Sequence, residues 1–196
     1  MKYNKKTEKI ILQAALELFV RKGYHGTSID AIMNKVNLTK GALYAHFTGK
    51  RELLFKIIEQ YKTQFVDQMI QATTQYPGNS VKKLNYALSF NSRFAQKNPD
   101  LCVFLSFLTT ELNSDIDFQY ALKKVYREYM KFISNLIAQG IRQGVIKKEF
   151  DPDLAALTFM AIHDGTLHQW VLNRDHLDGK EYVKTFRSIF MNGLTK

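Results

Sequence analysis

Thr39-Lys40-Gly41-Ala42-Leu43-Tyr44-Ala45-His46-Phe47 is the stretch on which the reading of this chain turns. Thr39 suits a helix N-cap, because its hydroxyl accepts a hydrogen bond from a backbone N–H one turn further on. Leu43 and Phe47 stand four residues apart and mark the inward face of a short helix over residues 40 to about 47. Lys40, Gly41, Ala42, Tyr44, Ala45 and His46 are left for its other faces.

Outward on the N-terminal side, Asn37 tolerates the left-handed backbone that a tight turn needs. Ile29, Ile32, Met33 and Val36 then form the apolar stripe of a second short helix, with Thr27 as its expected N-cap and Asp30 three residues on. Before it lies a longer helix over residues 5 to 22, with Ile11, Ala15, Leu18 and Phe19 on one face. Gly23 ends that helix, and Tyr24 is placed to pack back on its last turn. A longer helix followed by two short ones with a brief turn between them makes a three-helix helix-turn-helix unit.

Outward on the C-terminal side the chain stays helical. Gly49 is expected to cap a fourth helix with Glu52 at its third position, running to about residue 74, and Tyr76-Pro77-Gly78-Asn79-Ser80 is a break. Further helices are expected near 81–97, 99–113, 117–143, 152–173 and 179–193, with Asp151 and Pro152 opening the fourth of these five. The fold class is all-α with about nine helices. It divides into an N-terminal helix-turn-helix domain over 1–50 and a larger helical domain over 51–196, joined by the fourth helix.

Composition narrows the function. Apolar residues make up 45% of 196 residues, too many for wholesale disorder. The single cysteine, Cys102, cannot pair within the chain and sits in an apolar run, so a small buried side chain in a reduced, cytoplasmic protein is expected. No apolar run approaches the ~18 residues of a membrane span, and the N-terminus is amphipathic. Residues 1–62 hold twelve basic and five acidic residues, net +7, while the remainder carries only +3 of the total +10. A basic first third points to a polyanion partner. No nucleophile–base–acid set stands at telling spacing, so no enzyme is expected. His163, Asp164 and His168 fall short of three converging metal ligands, so no metal and no cofactor is expected.

A short helix with small residues at its start can enter the major groove of DNA. Gly41 and Ala42 keep the first turn slim, and Lys40 can reach a base edge or a phosphate. The N–H groups near Thr27 and Ser28 suit phosphate oxygens, Tyr44 and His46 can donate to them, and Lys50, which opposes the dipole of the next helix, is expected to hold one.

Residues 10–58 resemble the DNA-binding domain of the TetR/AcrR family of transcriptional regulators. The matching stretches are Ala14-Ala15-Leu16-Glu17-Leu18-Phe19, Gly23-Tyr24-His25-Gly26-Thr27-Ser28, Lys40 through Phe47, and Lys50-Arg51-Glu52-Leu53-Leu54. Gly140-Ile141-Arg142-Gln143-Gly144 before the Asp151-Pro152 helix start is also similar. Three departures stand out: Asn37 where the family has Gly, Met33 and Val36 where it has Ala, and a small Ala45.

The resemblance implies a homodimer that binds a palindromic double-stranded DNA operator and is released from it by a small apolar or amphipathic effector, most often as a repressor. Efflux and lipid or acyl metabolism are both open as the controlled pathway. Lys40, Gly41 and Ala42 become groove-facing positions; Thr27, Ser28, Thr39, Tyr44, His46 and Lys50 become phosphate or mixed contacts. Ligand in the larger domain would tilt the fourth helix and change the spacing of the two heads.

The aromatic-rich larger domain suits such a ligand. Asn91, Phe94, Phe104, Phe107, Met160, His163, His168 and Trp170 are its candidate lining. Leu157, Ala161, Ile162 and Gly165 on the penultimate helix, with Phe186, Ile189 and Phe190 on the last, are the candidate dimer seam. The rival reading is a low-specificity, nucleoid-type DNA binder without an effector.

Overall fold

The computed structural model describes residues 5–111, 115–173 and 175–196. Among them the regular structure is helical, with a single isolated antiparallel bridge between Ile146 and Thr195. No described helix is long and apolar enough to cross a membrane. The chain divides into two compact units.

The first unit comprises residues 1–61 and 99–122. Helix α1 (Lys5–Lys22) buries Ile11, Leu12, Ala14, Ala15, Leu18 and Phe19. It stops where Gly23 adopts φ +72°, and the Tyr24 ring folds back to 5.3 Å from that of Phe19. Helices α2 (Ile29–Lys35) and α3 (Lys40–Tyr44) follow, joined through Asn37 at φ +53°. Met33, large where a small residue was noted for the family, is itself buried in the α2 face along with Ile32. Helix α3 is shorter than the sequence implied, because the chain tightens after Tyr44 and the N–H groups of His46 and Phe47 both return to the Leu43 carbonyl.

Helix α4 (Lys50–Tyr61) packs on α1 through a face that includes Leu53, Leu54, Ile57 and Ile58. The unit also takes in α7 (Pro99–Glu111), which packs on both α1 and α4. The Phe104 ring stacks 5.5 Å from that of Phe19, so the middle of the chain helps to close the core of the helix-turn-helix. Arg51 on α4 reaches Asp115 at 3.1 Å and Asp117 at 2.9 Å, at the start of α8 (Ile116–Arg142).

The second unit holds residues 62–98 and 123–196. It opens with a π-helical segment, Lys62–Asp67, that periodicity did not foretell; it buries Phe65 and Val66 and leads into α5 (Gln68–Gln75). Asn79 caps α6 (Ser80–Lys97). After the rest of α8 come α9 (Pro152–Asn173), opened by Asp151, which accepts from the N–H groups of Asp153 and Leu154, and α10 (Gly179–Leu194), capped by Asp178. Helix α6 packs on α5 and α10, and α9 on α10. At Gly140 an added Cβ would stand 2.5 Å from Ile146, so only glycine lets the chain after α8 lie this close.

Candidate functional site

In the first unit the candidate side chains separate into those held inside and those presented outward. Thr39 caps α3 by accepting from the Ala42 N–H at 3.3 Å, and it is exposed. Ser28 caps α2, accepting from Ala31 at 3.1 Å. That corrects the expectation for Thr27, which is only 1% exposed and turns its hydroxyl back to the carbonyls of Gly23 (2.8 Å) and Leu18 (3.2 Å). Two adjacent hydroxyl residues can each cap a helix; packing under α1 decides that Thr27 ties the loop to the end of α1 while Ser28 faces solvent.

Lys50, expected to hold a phosphate, is engaged within the fold. Its ammonium donates to the carbonyls of Tyr24 at 2.8 Å and Thr27 at 2.9 Å and lies 4.4 Å from the centre of the Tyr24 ring. A cation against the dipole of its own helix is thus answered by two carbonyl oxygens and an aromatic face. Nor does Gly49 provide the capping contact of α4. The Glu52 carboxylate accepts from the Thr48 N–H at 2.7 Å and its hydroxyl at 2.8 Å, and these bonds hold the carboxyl below its ordinary value of 4.5.

The outward face of α3 carries Lys40, Gly41 and Tyr44, with Ala42 half-buried and the Leu43 side chain fully buried beneath. Tyr44 is 57% exposed. Lys40 pairs with Asp30 of α2 at 2.7 Å, and that bond raises the ammonium's pKa. An added Cβ at Gly41 would find only the Thr39 hydroxyl, at 3.7 Å, so nothing within the fold asks for glycine there. His46 is half-buried beside the Phe47 ring.

In the second unit α6, α9 and α10 line a cavity of about 50 Å³. Its wall is formed by Ser92, Ala95 and Gln96 on α6, by His163, Thr166, Leu167 and Trp170 on α9, and by Gly179, Tyr182, Val183 and Phe186 on α10. Trp170 closes one end against Gly179, whose added Cβ would lie 3.2 Å from the indole nitrogen. His163 stands at the other end, its ring stacked 6.3 Å from that of Phe65.

Of the sequence-derived lining, His163 and Trp170 reach this cavity. Phe104 belongs to the core of the first unit, His168 is exposed, and Asn91, Phe94 and Met160 stand outside the wall. The side chain of Phe107 lies outside the described residues. Sequence reasoning missed Ser92, Ala95 and Val183. No local signal marks them, because the bulky side chains opposite Ser92 and Ala95 lie on α9 and α10, far along the chain.

Along α9, Leu157, Ala161 and Gly165 are exposed, and on α10 Ile189 is 70% exposed. Ile162 and Phe190 are half-buried in a groove of about 550 Å³ between these helices. Phe186, expected beside them, instead turns into the cavity.

Comparison with known proteins finds two family patterns that follow one another along the chain. The sequence pattern described as "Bacterial regulatory proteins, tetR family" matches residues 11–57, and that of the "YsiA-like protein, C-terminal region" matches residues 58–193. The MbdR regulator from Azoarcus sp. CIB superposes with a TM-score of 0.88 at 29% identity, over 97% of this chain and 100% of that one. FadR from Bacillus subtilis, solved in complex with stearoyl-CoA, superposes at 0.80 with 21% identity, over 95% and 98%. AibR, solved with isovaleryl coenzyme A and operator DNA, superposes at 0.79 with 21% identity, over 93% and 97%. With the two family patterns together covering residues 11–193 and a helix-turn-helix whose second short helix faces outward, the chain belongs to the TetR family of transcriptional regulators.

Proposed function

We propose that this protein is a homodimeric repressor that binds a palindromic operator through α3 and releases it on binding a coenzyme A thioester in the second unit. The observation that carries the DNA part is the outward face of α3: a slim, exposed first turn at Lys40 and Gly41, with Tyr44 standing clear of a buried Leu43. Lys40, Gly41 and Ala42 read the groove; Ser28, Thr39, Tyr44 and His46 meet the phosphates. Thr27 and Lys50 fix the loop that presents α2. Phosphate contacts of this kind set register, and the few groove-facing side chains set sequence preference.

The effector part rests on the cavity and on two relatives. FadR and AibR were each solved with a coenzyme A thioester. Here the wall around Leu167, Trp170, Val183 and Phe186 is apolar and suits an acyl group. A site for a ligand of that size spans roughly 300–1,000 Å³. The cavity of about 50 Å³ must therefore open, and entry of an acyl group spreads α6, α9 and α10 apart.

The exposed face formed by Leu157, Ala161, Gly165 and Ile189 supports dimerisation through α9 and α10. In a dimer that spreading alters the separation of two α3 helices, which must fit half-sites about 34–36 Å apart. Losing two base contacts at about 1–3 kcal/mol each weakens the operator complex by one to several orders of magnitude. The coupling is reciprocal, so operator DNA weakens the thioester by the same factor.

The test is selection of bound fragments from genomic DNA by the wild type and by a Lys40→Ala, Tyr44→Ala double variant. Enrichment of one inverted repeat by the wild type alone supports the reading. Enrichment of nothing makes the protein a low-specificity DNA binder, and enrichment of the same repeat by the variant removes α3 from recognition.

A further inference from the structure

Beneath the floor of the cavity lies a polar pair that an apolar acyl site does not need. One turn beyond Ala95 on α6 is Asn91; one turn beyond His163 on α9 is Phe159; one turn beyond Phe186 on α10 is Phe190. The rings of Phe159 and Phe190 are 5.6 Å apart, so these positions share one layer. Tyr129 of α8 joins it, 6.4 Å from Phe159. Phe65 ties the layer to the floor above, since its ring lies 6.3 Å from His163 and 5.7 Å from Tyr129. Asn91 is 1% exposed and Tyr129 3%.

Within the layer Asn91 Nδ2 donates to the Tyr129 hydroxyl, while Asn91 Oδ1 is buried with no hydrogen-bond partner among the described residues. Burial pushes the Tyr129 phenol up, so it stays neutral and holds the amide without adding charge. A buried carbonyl oxygen with an open valence is costly in an aromatic surround. A leucine of similar size at residue 91 would remove that cost. This layer lies one helical turn from Ala95, His163 and Phe186 of the cavity wall, within reach of a ligand that enlarges the cavity on this side, as the proposed function requires.

Resting on that reading, we propose that Asn91, held by Tyr129, is a specificity-determining residue for the effector: its Oδ1 accepts a hydrogen bond from a hydroxyl carried on the acyl group. The effector class is then a hydroxyacyl thioester, and a plain hydrocarbon chain leaves the amide oxygen unsatisfied. A site built around a buried hydrogen-bonding group discriminates strongly against an analogue that lacks the partner.

The experiment is calorimetric titration of the full-length wild type, Asn91→Leu and Tyr129→Phe with octanoyl-CoA, 3-hydroxyoctanoyl-CoA and 8-hydroxyoctanoyl-CoA. Cooperative thermal unfolding and operator binding are checked for each variant. The wild type is expected to bind one hydroxylated ester about ten- to a hundredfold more tightly than octanoyl-CoA. Asn91→Leu is expected to lose that preference while keeping or improving its affinity for octanoyl-CoA. Tyr129→Phe keeps the ring packing, frees the amide, and is expected to lower the preference, which keeps the test open if the leucine variant does not fold. Octanoyl-CoA binding as tightly as both hydroxylated esters overturns the inference, as does a preference that survives in a folded Asn91→Leu. Binding of none of the three esters overturns the thioester reading itself, and the inference falls with it.

Discussion

The Lys50 ammonium donates to the carbonyl oxygen of Tyr24 at 2.8 Å and sits 4.4 Å from the centre of the same residue's ring. A second bond, to the Thr27 carbonyl at 2.9 Å, closes the clamp. The first residue of α4 thereby fixes the loop that aims α2, and through α2 the short α3. If these bonds are its main role, Lys50 acts on DNA through the loop that carries Thr27 and Ser28 and not by touching a phosphate.

Lys50→Met separates this role from a phosphate contact. Two charge-assisted bonds to carbonyls are lost, so unfolding free energy falls by about 1.5–3 kcal/mol. Operator affinity falls as well, while the slope of log affinity against log salt stays as in the wild type. A cation that held a phosphate would lower that slope by about one. Binding isotherms at several salt concentrations decide between the two.

Gly41 offers a contrast between folding and recognition. Nothing but the Thr39 hydroxyl, at 3.7 Å, would meet a Cβ at this position. Gly41→Ala is therefore expected to raise stability by up to about 1 kcal/mol through helix propensity. The added methyl faces the groove, so operator affinity is expected to fall at least several-fold. A melting curve and a binding curve on the same sample check both. Unchanged operator affinity would remove Gly41 from the DNA surface.

Much of the fold is legible without coordinates. The bounds of α1, the left-handed backbone at Gly23 and Asn37, and the opening of α9 at Asp151-Pro152 all follow from local chemistry: apolar spacing, positive φ, and caps. What local chemistry does not contain is the partner far along the chain. The Tyr24 and Thr27 carbonyls that hold Lys50 are 26 and 23 residues away. Phe104 looks like pocket lining until its ring is found on Phe19. Phe186 and Ile189 share an apolar helix, yet one is 8% and the other 70% exposed. The π-helical segment at 62–67 leaves the apolar pattern almost unchanged, so periodicity passes over it.

Ile189 is also where the dimer is tested. It is 70% exposed on α10, and Leu157 is 49% exposed on α9. Ile189→Glu, or Leu157→Glu, places a charge on the proposed seam without entering the protomer core. The wild type is expected to sediment at about twice the 22.8 kDa of one chain and each variant at that mass. Operator binding is expected to be lost with it, since a lone head keeps only one half-site. A variant that remains dimeric would move the interface elsewhere.

Trp170, the chain's one tryptophan, lines the cavity and packs on Gly179. Its emission is expected to change in a saturable way when an acyl thioester enters, and to stay constant with free coenzyme A, which has no acyl group for the apolar wall. A fluorescence titration reads this directly. Equal responses to both ligands would place the contact at the head group and leave the cavity out of it.

The most direct test of the whole account is the affinity for the selected inverted repeat, followed by fluorescence anisotropy at about 0.15 M salt as acyl thioester is added. The account predicts that octanoyl-CoA or one of its hydroxylated forms weakens the complex by at least tenfold, and that the DNA weakens the thioester by the same factor. Operator affinity that stays constant at saturating thioester would contradict it.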